Sequence, residues 1–470
     1  MTDRKWLSRI LLAAILIGLV ALSVTSVQID RLVRIGAGYK AKIACSEIFL
    51  AGRNADAVLQ NEFTGMDPLM TQIGLRVDEA ARTTRAAGPF GLGQARARYR
   101  DGYGCTLING GRVSDLPDLE PAPQSTPWTL APQGAPEAVA RVDYAALDAA
   151  LAAAFEANDI GNRAVLVAVD GKIVGERYAE GFTAETPFLS WSMAKSVTAT
   201  LIGAAVHRGL IDIETPAPVD LWRNDPLRAR ITWHDLLQMQ SGLDFEEAYD
   251  KTRSDVNRML FEAADASGAA MRSPAAQAPG ENWYYSSGTS NILARLYRDA
   301  LQRAEINDQA FAREALFGPI GAGGFTLEPD ASGVFLGSSF AYAPARDWAR
   351  LGQLYLQDGV WAGTRILPEG WSDYVAAPAS QSDNQYGAQF WLNRDGDGER
   401  PRFFEGLPES VYMMSGHEGQ YVFIIPSKNA IIVRTGMTRG QDPAIAIDPL
   451  ITALYNAIGD APASPATPAQ

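Results

Sequence analysis

The sequence predicts an α+β chain in which one antiparallel sheet is assembled from both ends of a large domain, with a helical insertion between them. Three observations carry this. An apolar run from Ala164 to Val169 turns at Asp170-Gly171 into Ile173 to Tyr178, and Asp-Gly between apolar runs is a hairpin signal because both turn positions need positive φ. A second hairpin is legible late in the chain, where Tyr421 to Ile425 turns through Pro426-Ser427-Lys428-Asn429 into Ala430 to Thr435. The long stretch between them is helical and irregular, so the two hairpins are expected to share a sheet.

In chain order, Arg4, Lys5 and Arg9 precede an apolar stretch from Ile10 to about Val27, which suits a signal peptide or a membrane anchor. We read residues 1–30 as an uncleaved inner-membrane anchor with the bulk of the chain facing the periplasm, or exported there if cleavage occurs. Residues 31–110 read as a small mixed region, with a helix near Ala55 to Gln60 and alternating segments around Leu75 to Arg85 and Gln94 to Tyr99. Cys45 and Cys105 are compatible with one disulfide in an oxidising compartment, the alternative being two buried thiols. Residues 111–140 are Pro-rich and read as a linker lying over the next domain.

The main domain is expected over 141–458. Asp143 caps an Ala-rich helix to about Glu156, and further helices are expected at His234 to Gln240, Asn291 to Gln302, Pro344 to Gln357 and Pro443 to Ile458. Ser241 to Asn282 is Gly-, Ala- and acid-rich, a pattern typical of binding loops. Residues 459–470 are Ala/Pro-rich and expected to be disordered.

A 47% hydrophobic, 20% charged composition fits a globular chain, and a net charge of -13 argues against nucleic acid as a partner. Two cysteines cannot build a zinc or iron-sulfur cage. Nothing in the sequence signals an oligomeric state.

Chemistry concentrates at Ser192-Met-Ala-Lys195, which places a hydroxyl and an amine on one face of a predicted helix start. Val197 to Val206 continues it as a nearly uncharged run, so Lys195 is expected in an apolar environment. Burial there penalises the ammonium and frees the amine to take the serine proton. The helix N-terminus favours a developing oxyanion. The three histidines, His207, His234 and His417, offer no conventional triad, since no Gly-x-Ser-x-Gly elbow occurs and the first two read as structural.

Two later segments complete a constellation. In Pro279 to Gly288, Tyr285 can relay a proton and Ser287 follows two residues on, while Trp283 reads as core. Gly416-His417-Glu418-Gly419-Gln420 opens the late hairpin, where Gly419 would let substrate approach an edge strand and Gln420 would offer its backbone N–H.

These segments, with Ile231-Thr232 to Leu236-Leu237 and Met239-Gln240-Ser241-Gly242-Leu243, resemble the serine β-lactamase and penicillin-binding-protein superfamily over about Val142 to Ile458. The likeness is to its class C-like branch, particularly the 6-aminohexanoate-dimer (nylon oligomer) hydrolases, which Gly419 to Val433-Arg434 resembles, and the family VIII carboxylesterases. The resemblance implies an antiparallel sheet flanked by helices beside an all-helical lobe, and no metal or organic cofactor. It implies Ser192 as acylated nucleophile, Lys195 as base, Tyr285 as proton relay, and the N–H groups of Ser192 and Gln420 as oxyanion hole. Ser287, His417 and Gly419 would line the substrate.

Two departures bear on the substrate. Tyr285-Ser286-Ser287 replaces Tyr-x-Asn, and His417-Glu418-Gly419 replaces Lys-Thr-Gly, so the cation that greets a carboxylate is missing. A small ester or linear amide is therefore expected rather than a β-lactam. The alternatives are a β-lactamase or DD-peptidase of the same superfamily, and a membrane-anchored binding or sensor module without turnover.

Overall fold

The computed structural model describes residues 3–108, 113, 115–117, 119, 124–156, 160–398 and 400–462, with most side chains before residue 26 outside the described set. It opens on a long helix, α1 (Asp3–Cys45). The expected anchor, Ile10 to Val27, falls within α1, and most of its side chains lie outside the described residues. Among the described residues no helix is long and apolar enough to cross a membrane. Trp6, Leu12, Leu16 and Val27 are described, and all are exposed.

The later part of α1 is buried. Ala37, Ala41 and Cys45 pack against the antiparallel strands β1 (Gly74–Asp78), β2 (Thr83–Ala87), β3 (Ala95–Arg100) and β4 (Gly104–Leu107), paired in that order. Small residues on this face let helix and sheet approach closely. Cys45 and Cys105 form the expected disulfide, with Cα atoms 6.0 Å apart, tying the end of α1 to β4. Between them, α2 (Ala55–Asn61) starts at Asn54, whose side chain accepts from Ala57 N.

In the main domain, α3 (Tyr144–Glu156) leads into β5 (Asn162–Val169) and β6 (Lys172–Tyr178). They turn through Asp170 (φ 51°) and Gly171 (φ 70°), the left-handed geometry that this dipeptide tolerates. Short strands β7 (Phe188–Leu189), β8 (Thr326–Leu327) and β9 (Ala341–Ala343) form a separate sheet, and β10 (Val360–Trp361) pairs with β11 (Thr364–Arg365). After β12 (Trp391–Leu392) and β13 (Tyr412–Gly416) comes the late hairpin, β14 (Gln420–Ile425) and β15 (Ala430–Gly436). β15 pairs with β5, so the two ends of the domain do close one antiparallel sheet, ordered β12-β13-β14-β15-β5-β6.

One correction concerns β14, expected at a sheet edge. β13 lies outside it, pairing from Gly416↔Gln420 to Tyr412↔Ile424. The β13 segment is five residues long and almost wholly buried, so it carries no period-two signal to read.

The central strands are buried on both faces. Ala164, Leu166 and Ala168 of β5 face one core with α4 (Met193–His207), whereas Val165, Val167 and Val169 face a second core with Leu147 and Leu151 of α3. Continuous apolar strands result. Helices α5 (Trp233–Leu237), α6 (Asp255–Phe261), α7 (Ala266–Met271), α8 (Ser287–Arg303) and α9 (Asp308–Phe311) form the helical insertion. Next come α10 (Ala345–Leu356), packed on the sheet, and α11 (Trp371–Ala376). The closing α12 (Pro443–Asn456) joins α3 in the second core.

The N-terminal region is joined to the main domain through buried polar contacts. Lys42 of α1 pairs with Glu328, which also accepts from Ser46 Oγ (2.8 Å) and Cys105 N (2.6 Å), and both charged side chains are 1% exposed or less. Gly38 lies so close to α6 that a Cβ there would sit 2.3 Å from the Phe261 carbonyl oxygen. The described part of the Pro-rich segment adheres to the main domain, with Arg350 donating to Thr126 and Trp128 Nε1 to the Gly171 carbonyl. The expected disordered tail begins as an anchored segment, Gly459 N donating to Arg141 O and Ala461 N to Ser427 O, and residues 463–470 lie outside the described residues.

Candidate active site

Ser192 occupies the N-cap of α4, yet its side chain makes no capping hydrogen bond. A serine there normally accepts from the helix's first free N–H groups. Instead its Oγ lies 2.9 Å from Lys195 Nζ, one turn on. Trp191, just before it, adopts φ 44°, a conformation costing a non-glycine residue ~1–3 kcal/mol. Its ring is held by Tyr39 (6.1 Å, stacked), Phe340 (5.8 Å) and His417 (5.5 Å, edge-on), which fix the bend that presents Ser192.

Lys195 is 1% exposed, and burial pushes its pKa down to about 8, with the Glu247 charge acting in the other direction. Besides Ser192, its amine contacts Ser287 Oγ (3.0 Å) and the Ser338 carbonyl (3.1 Å). Ser287 Oγ donates to Glu247 (2.5 Å), so that hydroxyl must accept from Lys195. The Ser338 carbonyl can only accept. A neutral amine has two protons, and both are thereby committed, which leaves its lone pair facing the Ser192 hydroxyl. This is the arrangement a general base requires.

Tyr285 lies beside them, its ring centroid 4.7 Å from Lys195 Nζ and packed against Tyr386 and Trp391. Burial, then the Glu247 charge, hold its phenol well above the ordinary range, opposed by a hydrogen bond with Ser192. It is therefore a phenol at working pH, able to donate, while Lys195 is the group that can accept. Ser286 between them caps α8, accepting from Thr289 N. Trp283, expected in the core, is half-buried and packs its ring on Tyr386 and Trp391 at the core's margin.

Ser287, expected on the substrate wall, is fully buried behind Lys195 and orients the amine. The change follows from helix α8 beginning there, four residues before the expected start. Glu247 was not singled out, although it lies in the Ser241–Asn282 loop flagged for binding. Its carboxylate accepts from Ser287 N (2.8 Å), Ser287 Oγ and the Tyr249 hydroxyl (2.9 Å). Glu247→Gln is expected to lower kcat/KM roughly 10- to 100-fold, the worth of a hydrogen bond to a charged group. Because Glu247 raises the Lys195 pKa, its loss should move the alkaline-rising limb of the pH–rate profile to lower pH. A limb that stays put would sever Glu247 from the amine.

The His417-Glu418-Gly419 turn abuts the segment that leads from β7 to Ser192, since a Cβ on Gly416 would lie 2.1 Å from Ser190 O. Fully buried Arg434 clamps the turn, donating to Glu418 O (3.1 Å) and Gly419 O (2.8 Å). Gly419 (φ 84°) serves backbone shape here, for a Cβ would sit 2.5 Å from Arg434 Nη1. The Gln420 side chain is spent across the strand ends, accepting from Gly436 N (3.0 Å) and donating to His417 O (3.1 Å).

Ser192 opens into a cavity of about 540 Å³ shared with Trp191, Tyr249, His417, Glu418 and Arg439. Glu418 does line it, as the substrate argument required, but its carboxylate is paired with Arg439, which also donates to the carbonyls of Glu62 and Thr64. Its repulsion toward a carboxylate is thus blunted, and exposed Asp67 and Asp250 supply the remaining negative charge. His234 is satisfied by Tyr374 (3.1 Å) and His207 ends α4, and neither lines the cavity that holds Ser192. Among the described residues no His, Cys, Asp and Glu group could hold a metal ion.

Comparison with known proteins fits this geometry. The chain is 24% identical over 297 residues to the 6-aminohexanoate-dimer hydrolase of Paenarthrobacter ureafaciens, covering 58% of this chain and 71% of that one. Its fold is similar to that of a Bacillus anthracis protein described as a 6-aminohexanoate-dimer hydrolase, with TM-score 0.56 and 19% identity over 72% of this chain and 88% of that one. It is also similar to a penicillin-binding protein homologue from Caulobacter crescentus, with TM-score 0.51 and 17% identity over 67% and 97% of the two chains. The family profile described as Beta-lactamase matches residues 147–452, a span that holds Ser192, Lys195, Tyr285 and the His417–Gln420 turn, and the chain belongs to that family.

Proposed function

We propose that the protein is a serine hydrolase that forms an acyl-enzyme on an ester or linear amide. Ser192 Oγ attacks the carbonyl carbon as its proton passes to the Lys195 amine. The N–H groups of Ser192 and Gln420 receive the oxyanion. Tyr285 gives its proton to the departing alkoxide or amine and regains one from Lys195, and water then hydrolyses the acyl-enzyme with the same groups in reverse. The observation that carries this reading is the set of contacts at Lys195 Nζ, which donates to Ser287 Oγ and Ser338 O and lies 2.9 Å from Ser192 Oγ, so that the neutral amine can turn its lone pair to that hydroxyl.

Neutral or amine-bearing substrates fit the cavity better than carboxylates, because Asp67 and Asp250 are unmatched by a second cation once Arg439 is paired with Glu418. We further propose that α1 anchors the chain in the inner membrane with the catalytic domain in the periplasm. Support comes from the basic residues before Ile10, the exposed apolar side chains of the early helix and the disulfide.

A fluorophosphonate probe is expected to label the protein at Ser192, located by peptide mass spectrometry, and Ser192→Ala should lose both labelling and ester turnover while melting at the parent's temperature. A folded protein that resists the probe would overturn the reading. Turnover of nitrocefin faster than of p-nitrophenyl esters would shift it to a β-lactamase.

A further inference from the structure

We infer that the N-terminal region builds a subsite for an apolar acyl chain beside Ser192, so that amphiphilic esters are preferred over short ones. The inference rests on the serine-hydrolase reading above. One flank of the cavity that holds Ser192 comes from outside the family-matched span: Ile35 and Tyr39 from α1, and Met66 and Met70 from the segment before β1. These meet Phe261 of α6, with the Tyr39 and Phe261 rings 5.3 Å apart. Tyr39 also stacks on Trp191, the residue next to the nucleophile, so this apolar flank begins one residue from the reacting hydroxyl.

The charged and polar lining, Asp250, His417, Glu418 and Arg439, comes from the loop after α5, the β13–β14 turn and the segment between β15 and α12. Asp67 is the charged exception on the N-terminal side, and its carboxylate accepts from Leu69 N (2.8 Å). An occupant with a polar end and a hydrocarbon end matches this division. Two methionines suit a flexible chain, because their unbranched side chains repack around varied shapes. Gly36 is what lets α1 come close enough to form the wall, since a Cβ there would meet Ile73 Cδ1 at 2.7 Å and Met70 Sδ at 3.1 Å.

The source of such a substrate is indicated by the same helix. Gly36 lies about 14 Å along α1 from Val27, the end of the apolar run, at 1.5 Å per residue. With that run in a bilayer, the α1 wall of the cavity starts at Ile35, about 12 Å along the helix from the lipid, beside the loop whose Arg253 donates to Gln28 (2.8 Å).

The test uses the full-length protein in lipid nanodiscs and compares kcat/KM for p-nitrophenyl acetate and octanoate, each normalised to its alkaline hydrolysis rate. Burial of six further methylenes on a half-open wall should favour octanoate by on the order of 100-fold, about twofold for each, which is half the free energy of a fully buried methylene. Met66→Asp should cut that ratio at least tenfold and leave acetate turnover within twofold. Ile35→Ser serves as a second variant if Met66→Asp does not fold. A ratio near one in the parent, or an unchanged ratio in an active variant, would overturn the subsite. In either case fluorophosphonate labelling and acetate turnover persist, so the hydrolase reading is judged separately; loss of both would sink that reading and the subsite with it.

Discussion

Replacing Lys195 with methionine is expected to lower kcat/KM by roughly 10²- to 10⁴-fold, the usual worth of a positioned general base. The parent's acylation rate should rise with pH through about 8, because the neutral amine is the active form and burial brings its pKa to that value. The variant should lose this limb. Stability should move the other way. Below pH 8 the folded parent holds a buried ammonium, and a pKa of about 8 against an unfolded value of 10.5 makes that a cost of about 3 kcal/mol. Folded and unfolded states bind the same protons below 8, the folded state binds fewer between 8 and 10.5, and the cost disappears as pH rises through that window. Lys195→Met should therefore melt at a higher temperature than the parent at pH 7, as seen by calorimetry, while being nearly inactive. A variant that is both inactive and less stable would mean that the lysine serves packing more than proton transfer.

The second large effect is expected at the junction between α1 and the main domain. Lys42→Met should destabilise the protein by about 3–5 kcal/mol, since it leaves the Glu328 carboxylate buried without its counter-charge. Burial pushes Lys42 and Glu328 each toward its neutral form, and their mutual attraction opposes this. Adding Glu328→Gln to Lys42→Met should recover most of the loss, because a neutral amide removes the stranded charge and still accepts from Cys105 N. Denaturant titration of the two single variants and the double variant measures the coupling. Tyr39 lies one turn before Lys42 on α1, so the single variant should also lose activity ahead of global unfolding, as the ring leaves Trp191. Equal stability losses in the single and double variants would place the effect in packing and not in charge.

Much of the fold could be read from local sequence. Asp170-Gly171 specifies its hairpin through turn conformations that few other pairs tolerate, and the closing hairpin is marked by apolar runs on either side of Pro426 to Asn429. Ser-x-x-Lys at the head of an uncharged helix forecasts the contact between its two groups because an i, i+3 spacing places both on one face whatever surrounds them. Strand β13 escaped notice because it is short and buried on both faces. Ser287 was placed on the wrong side of the site, since its direction depends on where α8 starts, and chain ends of helices are weakly encoded.

By itself, then, the sequence determined the grouping of Ser192 and Lys195 and the sheet that both chain ends build, because each is written in neighbouring residues through helical spacing or turn chemistry. Only the tertiary structure decided what surrounds these residues. Glu247 reaches Lys195 through Ser287, Arg439 neutralises Glu418, and Lys42 finds Glu328 at a separation of 286 residues. Tyr39 packs on Trp191 from a region outside the family-matched span. Contacts across such separations depend on how folded elements dock, and no local pattern of residues records that.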